Sequence, residues 1–130
     1  MRPEVLIVDD DTSIRETLRL VLEDTGYRVL EAGDGMIALT IMQNHQAPMV
    51  VLLDLVMPRL DGTSVLHLVR QDAGLSARNV FIVMTAAQRN LPDTLVPVLQ
   101  ELLISVLYKP FELNELLQFV SEAASRLPPT

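Results

Sequence analysis

Short apolar runs alternate along this chain with longer segments in which apolar residues recur every three or four positions. The short runs have the length of buried strands, and the longer segments have the spacing of helices that pack by one face. We predict that a helix follows each of five strands. The predicted strands lie at residues 5–8, 27–32, 49–53, 80–84 and 104–108.

Polar residues and a glycine indicate where the first helix begins and ends. Ser13 and Glu16 fit a capping box at its start, although Asp11 or Thr12 can cap it instead. Gly26 is placed to end it, because glycine readily adopts the left-handed conformation that closes a helix.

The region from residue 91 to residue 107 is rich in apolar residues and is interrupted by Pro92 and Pro97. Proline is tolerated in the first turn of a helix but not in its interior, so we expect a short fourth helix that begins near residue 94 or 95. A short helix cannot easily bury every apolar side chain of this region. Two hypotheses follow. The segment is either deeply packed, or it is an exposed apolar patch used for homodimerisation through residues 91–107 or for docking another domain.

The alternation of strands and helices predicts the α/β fold class, with a five-stranded, doubly wound parallel sheet. Strands one, three and four are nearly continuous apolar runs, as expected where helices cover both faces of a sheet. We assign residues 1–126 to one domain. Residues 127–130, which include two prolines, are predicted to be a tail or the start of a linker.

Composition narrows the possible functions. The chain has 130 residues and no cysteine, which excludes disulfides and thiolate metal sites. Its net charge of −7 argues against direct nucleic-acid binding by this domain. The sequence contains neither a long uncharged apolar run nor the pattern of a signal peptide at its start, so we expect a cytoplasmic domain without a membrane segment.

Polar residues follow the predicted strands. Strand one is followed by Asp9, Asp10 and Asp11, strand three by Asp54, strand four by Thr85 and strand five by Lys109, the only lysine of the chain. Ligands of doubly wound sheets bind outside the carboxyl ends of the strands. Clustered carboxylates repel one another unless a cation lies among them, and oxygen ligands favour Mg²⁺. An aspartate can act as a nucleophile towards phosphorus, while a lysine and a hydroxyl neutralise phosphoryl oxygens.

Five segments, in this order and at strand ends, resemble the receiver domains of two-component response regulators. They are Val5-Leu-Ile-Val-Asp-Asp-Asp11, Glu31-Ala-Gly-Asp-Gly35, Val51-Leu-Leu-Asp-Leu-Val-Met-Pro58 with Asp61-Gly62, Val83-Met-Thr-Ala86, and Lys109-Pro-Phe111. The resemblance covers about residues 4–126 and implies a flavodoxin-like sheet with strand order 2-1-3-4-5. It also implies a cis bond between Lys109 and Pro110.

The same resemblance implies a role for each site residue. Asp54 is the expected phosphoacceptor, and the expected Mg²⁺ ligands are Asp9, Asp10, Asp54 and the backbone carbonyl of Val56. Lys109, Thr85 and the amide of Ala86 are expected to hold the phosphoryl group. The implied donor is a phosphohistidine on a sensor histidine kinase or a phosphotransfer protein. We expect self-phosphotransfer, which switches a downstream interaction, and not a turnover enzyme.

The sequence departs from the family pattern on the side that reads out phosphorylation. Val106 replaces the usual aromatic residue three positions before the lysine, and Leu102-Leu103 replaces the usual Gly-Ala pair. Val56 and Ala87 flank the expected phosphoryl site, and neither side chain can orient a water molecule, so we predict slow loss of the phosphoryl group.

Other functions fit the sequence less well. Taken singly, the aspartates can be helix caps or turn residues, Thr85 a strand end and Lys109 a surface charge. Asp61-Gly62-Thr63 superficially resembles a haloacid-dehalogenase phosphatase, but Arg59 stands where that chemistry needs an aspartate. A flavin-binding flavodoxin-like domain fits poorly, because its first loop must donate to phosphate. The serious alternative is a pseudo-receiver that binds partners without phosphorylation.

Overall fold

The computed structural model describes residues 3–86 and 91–129 and shows a three-layer α/β arrangement. The elements, in chain order, are β1 (Glu4–Val8), α1 (Thr12–Thr25), β2 (Arg28–Ala32), α2 (Gly35–Asn44), β3 (Met49–Asp54), α3 (Gly62–Gln71), α4 (Ala73–Arg78), β4 (Val80–Thr85), α5 (Leu95–Glu101), β5 (Ser105–Tyr108) and α6 (Leu113–Ser125).

All the strand pairs are parallel, and the strands lie in the order β2-β1-β3-β4-β5. The predicted fold class and strand order are therefore confirmed. The order reverses direction after β1, so the loops that follow β1 and β3 diverge to opposite faces of the sheet. This divergence opens a crevice at the carboxyl ends of the two strands.

Two apolar clusters cover the two faces of the sheet. One contains the inner sides of α2, α3, α4 and α5, and the other contains those of α1 and α6. Alternate residues of one strand enter opposite clusters: Leu6 and Val8 join the first, whereas Val5 and Ile7 join the second. The continuous apolar runs of β1 and β3 thus reflect burial on both faces.

The predicted boundaries of α1 and α5 agree with the structure. Asp11 caps α1, since its Oδ1 accepts from the Ser13 amide at 2.9 Å; the capping box of Ser13 and Glu16 was the wrong alternative. Gly26 ends α1 with φ 108°. The helix α5 begins at Leu95, which places Pro97 in its first turn, where no amide donor is needed.

The prediction of one helix after each strand was wrong between β3 and β4. A second helix, α4, follows α3 directly, because the Asp72 side chain accepts from the Leu75 amide and starts a new turn. The six residues of α4 contain a glycine and a serine, and only Leu75 is buried. So short a segment carries no helical apolar pattern by which it could have been recognised.

The end of α5 is closed by a leucine in an unusual conformation. Leu103 has φ 54°, the left-handed region in which glycine is usual. The amide of Ile104 donates to the Leu99 carbonyl at 2.8 Å, and the amide of Leu103 donates to the Gln100 carbonyl at 3.4 Å. These two bonds form a Schellman motif, so the leucine occupies the position that the motif normally gives to glycine.

The chain beyond α6 packs against the domain at Leu127, which contacts the cluster formed by α1 and α6. The assignment of residues 127–130 to a tail or linker stays a prediction. No helix of the described residues is long and apolar enough to cross a membrane.

Candidate phosphoacceptor site

The predicted acidic residues meet at the carboxyl edge of the sheet. Asp54 is the last residue of β3 and is only 7% exposed, while Asp9 follows β1 and is 1% exposed. Asp10 is exposed to solvent. One carboxylate oxygen from each of these three residues lies within 4.8 Å of the others. The fold thus brings Asp54 close to the adjacent residues Asp9 and Asp10, which precede it by 45 and 44 positions in the sequence.

Lys109 supplies the positive charge of the site. Its Nζ lies 2.9 Å from Asp9 Oδ2 and 3.4 Å from Asp54 Oδ2. The Lys109 amide donates to the Thr85 carbonyl at 2.8 Å, which joins the ends of β4 and β5. The Lys109-Pro110 peptide bond is cis, as expected. One ammonium group therefore faces two buried carboxylates.

The pKa values in this cluster are shifted by burial and by charge. Burial raises the pKa of Asp54, and the charge of Asp9 adds to that effect, while Lys109 and the Val56 amide oppose it. Burial by itself would lower the pKa of Lys109, but the hydrogen bond to Asp9 and the charges of Asp54 and Asp9 raise it. Lys109 is thus firmly charged, and Asp54 has to share it with the closer Asp9.

Backbone groups fix the two buried carboxylates. Asp54 Oδ1 accepts from the Val56 amide at 3.2 Å, and Asp9 Oδ1 accepts from the Asp11 amide at 2.9 Å. These bonds orient the carboxylates and leave Asp54 Oδ2 to Lys109, whose Nζ lies 3.4 Å away. Asp54 therefore presents one oxygen that no backbone donor occupies among the described residues.

The other predicted residues border the same edge. Thr85 ends β4 and is fully buried, whereas Ala86 and Val56 are exposed. Thr85 also lines a cavity of about 260 Å³ between the loops that follow β3 and β4. Ala87, which is predicted to flank the phosphoryl site, lies outside the described residues.

The donor set fits Mg²⁺ on chemical grounds. Asp9, Asp10 and Asp54 offer oxygen ligands only, and three carboxylates outnumber the single ammonium. A hard divalent cation prefers such ligands and relieves the repulsion among them.

Two contacts around the site were not anticipated from the sequence. Arg15 Nη1 donates to the Asp9 carbonyl at 2.6 Å, and its Nε donates to Glu31 Oε1 at 3.0 Å. An arginine in the first helix carries no sequence signal for either contact, because both depend on how α1 packs beside β2.

The chain is similar to known proteins over most of its length. The model of the family described as response regulator receiver domain matches residues 5–121. The DNA-binding response regulator MtrA of Mycobacterium tuberculosis H37Rv is 36% identical over 116 residues, which cover 89% of this chain and 48% of that protein. The response regulator MprA of Mycobacterium sp. strain KMS is 38% identical over 129 residues, which cover 99% of this chain and 54% of that protein. The chain thus spans about half the length of these relatives.

Two solved structures show the same fold. The receiver domain of the Francisella response regulator 1452 has a TM-score of 0.82 at 28% identity, and the alignment covers 96% of this chain and 98% of the Francisella chain. The Vibrio cholerae chemotaxis protein CheY4 has a TM-score of 0.77 at 27% identity, and the alignment covers 95% of this chain and 99% of the CheY4 chain.

Proposed function

Since the chain belongs to the response regulator receiver domain family, we propose that it accepts a phosphoryl group on Asp54 in a Mg²⁺-dependent reaction. The observation that carries the proposal is the meeting of Asp9, Asp10 and Asp54 with Lys109 at one edge of the sheet. The fold brings these residues together from the ends of three strands.

In the proposed reaction, an oxygen of the ionised Asp54 forms a bond to phosphorus while the bond from phosphorus to the donor nitrogen breaks. Lys109 lies beside Asp54 Oδ2, where its ammonium group can pair with the transferred phosphoryl oxygens. Mg²⁺ would be held by Asp9, Asp10, Asp54 and the Val56 carbonyl, and it would neutralise negative charge on the phosphoryl oxygens. Thr85 and the Ala86 amide would hold the phosphoryl group after transfer.

The proposed donor is a phosphohistidine on a sensor kinase or phosphotransfer protein in the cytoplasm. An apolar groove of about 390 Å³ adjoins Lys109 and Ala86 and is lined in part by Ile14, Leu18 and Phe111. Apolar surface next to a reacting group suits contact with another protein. The groove therefore supports a protein donor, while the receiver itself performs one transfer and does not turn over.

Two further predictions concern what happens after transfer. Val56 is 73% exposed and its side chain has no polar group to orient water, which supports slow hydrolysis of the phosphoryl group. Homodimerisation through residues 91–107 also stays a prediction. Leu95, Val98 and Leu99 are buried, so the apolar surface left for a partner consists chiefly of Val96 and Leu103.

The test is the intact mass after incubation with acetyl phosphate and Mg²⁺. We expect one added phosphoryl group in the wild type, and none in Asp54→Asn or without Mg²⁺. Asp61→Asn is a matched control, because Asp61 caps α3 through the Ser64 amide and asparagine caps equally well. It should be labelled like the wild type.

The alternative function is phosphorylation-independent binding of a partner. It is favoured by the readout region, in which Val106 replaces the usual aromatic residue and Leu102-Leu103 replaces the usual Gly-Ala pair. An unlabelled wild type, beside a receiver that is labelled under the same conditions, would select this alternative.

A further inference from the structure

Arg15 connects the acidic site to the neighbouring strand β2. Its guanidinium group donates to the Asp9 carbonyl at 2.6 Å and to Glu31 Oε1 at 3.0 Å, and its side chain is only 17% exposed. Glu31 lies in β2, in register with Ile7 of β1. A rigid strand therefore anchors Glu31, which in turn anchors the guanidinium group.

The carbonyl that Arg15 binds belongs to the peptide group between Asp9 and Asp10. Fixing the plane of this peptide fixes the Asp10 amide and the Cα atom from which the Asp10 side chain extends. The Asp10 side chain is exposed, and no hydrogen bond or ion pair of the described residues holds its carboxylate. Among the described residues no side-chain contact restrains this carboxylate, so its approach to Asp9 and Asp54 depends on where the backbone places the Asp10 Cα atom.

We propose that Arg15 is a positioning residue, which holds the Asp9-Asp10 peptide so that the Asp10 carboxylate faces Asp54 and can bind Mg²⁺. This inference rests on the proposed function. Arg15 itself touches neither the metal nor the phosphoryl group. Residues that orient metal ligands in this indirect way usually change metal affinity by 10-fold or more when they are lost.

A purely electrostatic role for Arg15 predicts the opposite effect. A positive charge close to a cation site repels the cation, so its removal would strengthen Mg²⁺ binding. Positioning and repulsion thus differ in the sign of the change in affinity.

Arg19 provides a matched control. It also binds Glu31, through Nη1, and its Nη2 donates to the Val29 carbonyl at 3.3 Å rather than to the site. Replacing either arginine removes one positive charge and one partner of Glu31. Only replacing Arg15 releases the Asp9 carbonyl.

The experiment is a Mg²⁺ titration of the whole chain at constant ionic strength, followed by the NMR shifts of the Asp10 and Val56 amides. For Arg15→Ala we expect the Mg²⁺ dissociation constant to rise about 10-fold. For Arg19→Ala we expect a change within about twofold, since Arg19 binds Glu23, Glu31 and the Val29 carbonyl rather than the site, and salt screens the charge of a partly exposed side chain. Arg15→Lys keeps the charge but cannot bridge two acceptors with a planar fork, so it should also bind Mg²⁺ more weakly.

Several results would overturn the inference. They are unchanged or tighter Mg²⁺ binding in both Arg15 variants, or an equal loss in Arg19→Ala. If Arg15→Ala does not fold, Arg15→Lys decides between the outcomes. A wild type that binds no Mg²⁺ contradicts the proposed function instead.

Discussion

Two regions of the molecule have backbone positions that favour glycine, for different reasons. We call residues 54–62 the acceptor side and residues 102–108 the readout side. On the acceptor side, a Cβ atom at Gly62 would lie 2.3 Å from the Asp54 carbonyl oxygen, so contact excludes any side chain. On the readout side, Leu103 has φ 54° but its side chain is 68% exposed, so only the backbone conformation favours glycine.

The difference shows which departures from a family pattern a fold tolerates. A steric demand for glycine is absolute, because two backbones occupy the space. A conformational demand costs about 1–2 kcal/mol and can be offset elsewhere. Arg126 Nη1 donates to the Leu103 carbonyl at 3.0 Å, which ties this strained residue to the end of α6.

The largest expected effect is on the acceptor side. Gly62→Ala should lower the free energy of unfolding by about 3 kcal/mol and abolish phosphorylation, because the new methyl group displaces the Asp54 backbone. Denaturant unfolding and the acetyl phosphate assay measure the two effects.

Gly74→Ala is the control, because a Cβ atom at Gly74 would lie 3.3 and 3.4 Å from its nearest neighbours, and one of these is the movable end of Arg78. A change above about 1 kcal/mol in the control would mean that spacing alone does not separate the two glycines.

The readout side should respond in the opposite direction. Leu103→Gly is expected to raise the free energy of unfolding by about 1 kcal/mol, because glycine adopts positive φ without strain. Leu20→Gly is the matched control, since Leu20 is 70% exposed but lies within α1. It should lose about 1 kcal/mol. Equal destabilisation in both variants would show that Leu103 is held by packing rather than strained.

Asp54→Asn should stabilise the Mg²⁺-free protein slightly while it abolishes phosphorylation. Burial raises the pKa of Asp54, so the ionised form is disfavoured in the folded state. We expect a gain of up to about 1 kcal/mol at neutral pH in EDTA. The gain should shrink as the pH falls from the pKa of Asp54 in the folded protein to its lower pKa in the unfolded chain. In that range the folded wild type takes up a proton before the unfolded chain does, which raises the free energy of unfolding of the wild type. Thermal melts across this range would test it, and a gain that grows on acidification would contradict it.

The smallest effect concerns an ion pair between α3, which follows the acceptor side in the chain, and α5, which precedes the readout side. Arg70 Nε lies 2.8 Å from Glu101 Oε2, and the two side chains are 41% and 51% exposed. Glu101→Gln should change stability by less than about 0.5 kcal/mol, because water screens exposed pairs. The rate of phosphorylation by acetyl phosphate should not change. A slower rate would show that the readout side influences the acceptor side through this pair.

Much of the candidate site could be predicted from the sequence. Asp9, Asp10, Asp54, Thr85 and Lys109 each follow an apolar run, and parallel strands bring their carboxyl ends to one edge. The helix α4 and the cap of α1 were less accessible, because short helices and neighbouring polar residues offer several local solutions of similar energy. The apolar region from residue 91 to residue 107 was ambiguous for the same reason, and packing buries Leu95, Val98 and Leu99 but not Val96.

By itself, the sequence determined the alternation of strands and helices, the parallel sheet and the set of residues at its carboxyl edge. These features depend on periodicity and on chain order, which are local properties. Only the tertiary structure decided that Arg15 reaches the Asp9 carbonyl, that Lys109 lies closer to Asp9 than to Asp54, and that Gly62 touches the backbone of Asp54. Those contacts join residues that are distant in the chain or that face one another across a turn. Local sequence patterns do not predict such contacts, because their geometry depends on how whole helices and strands pack.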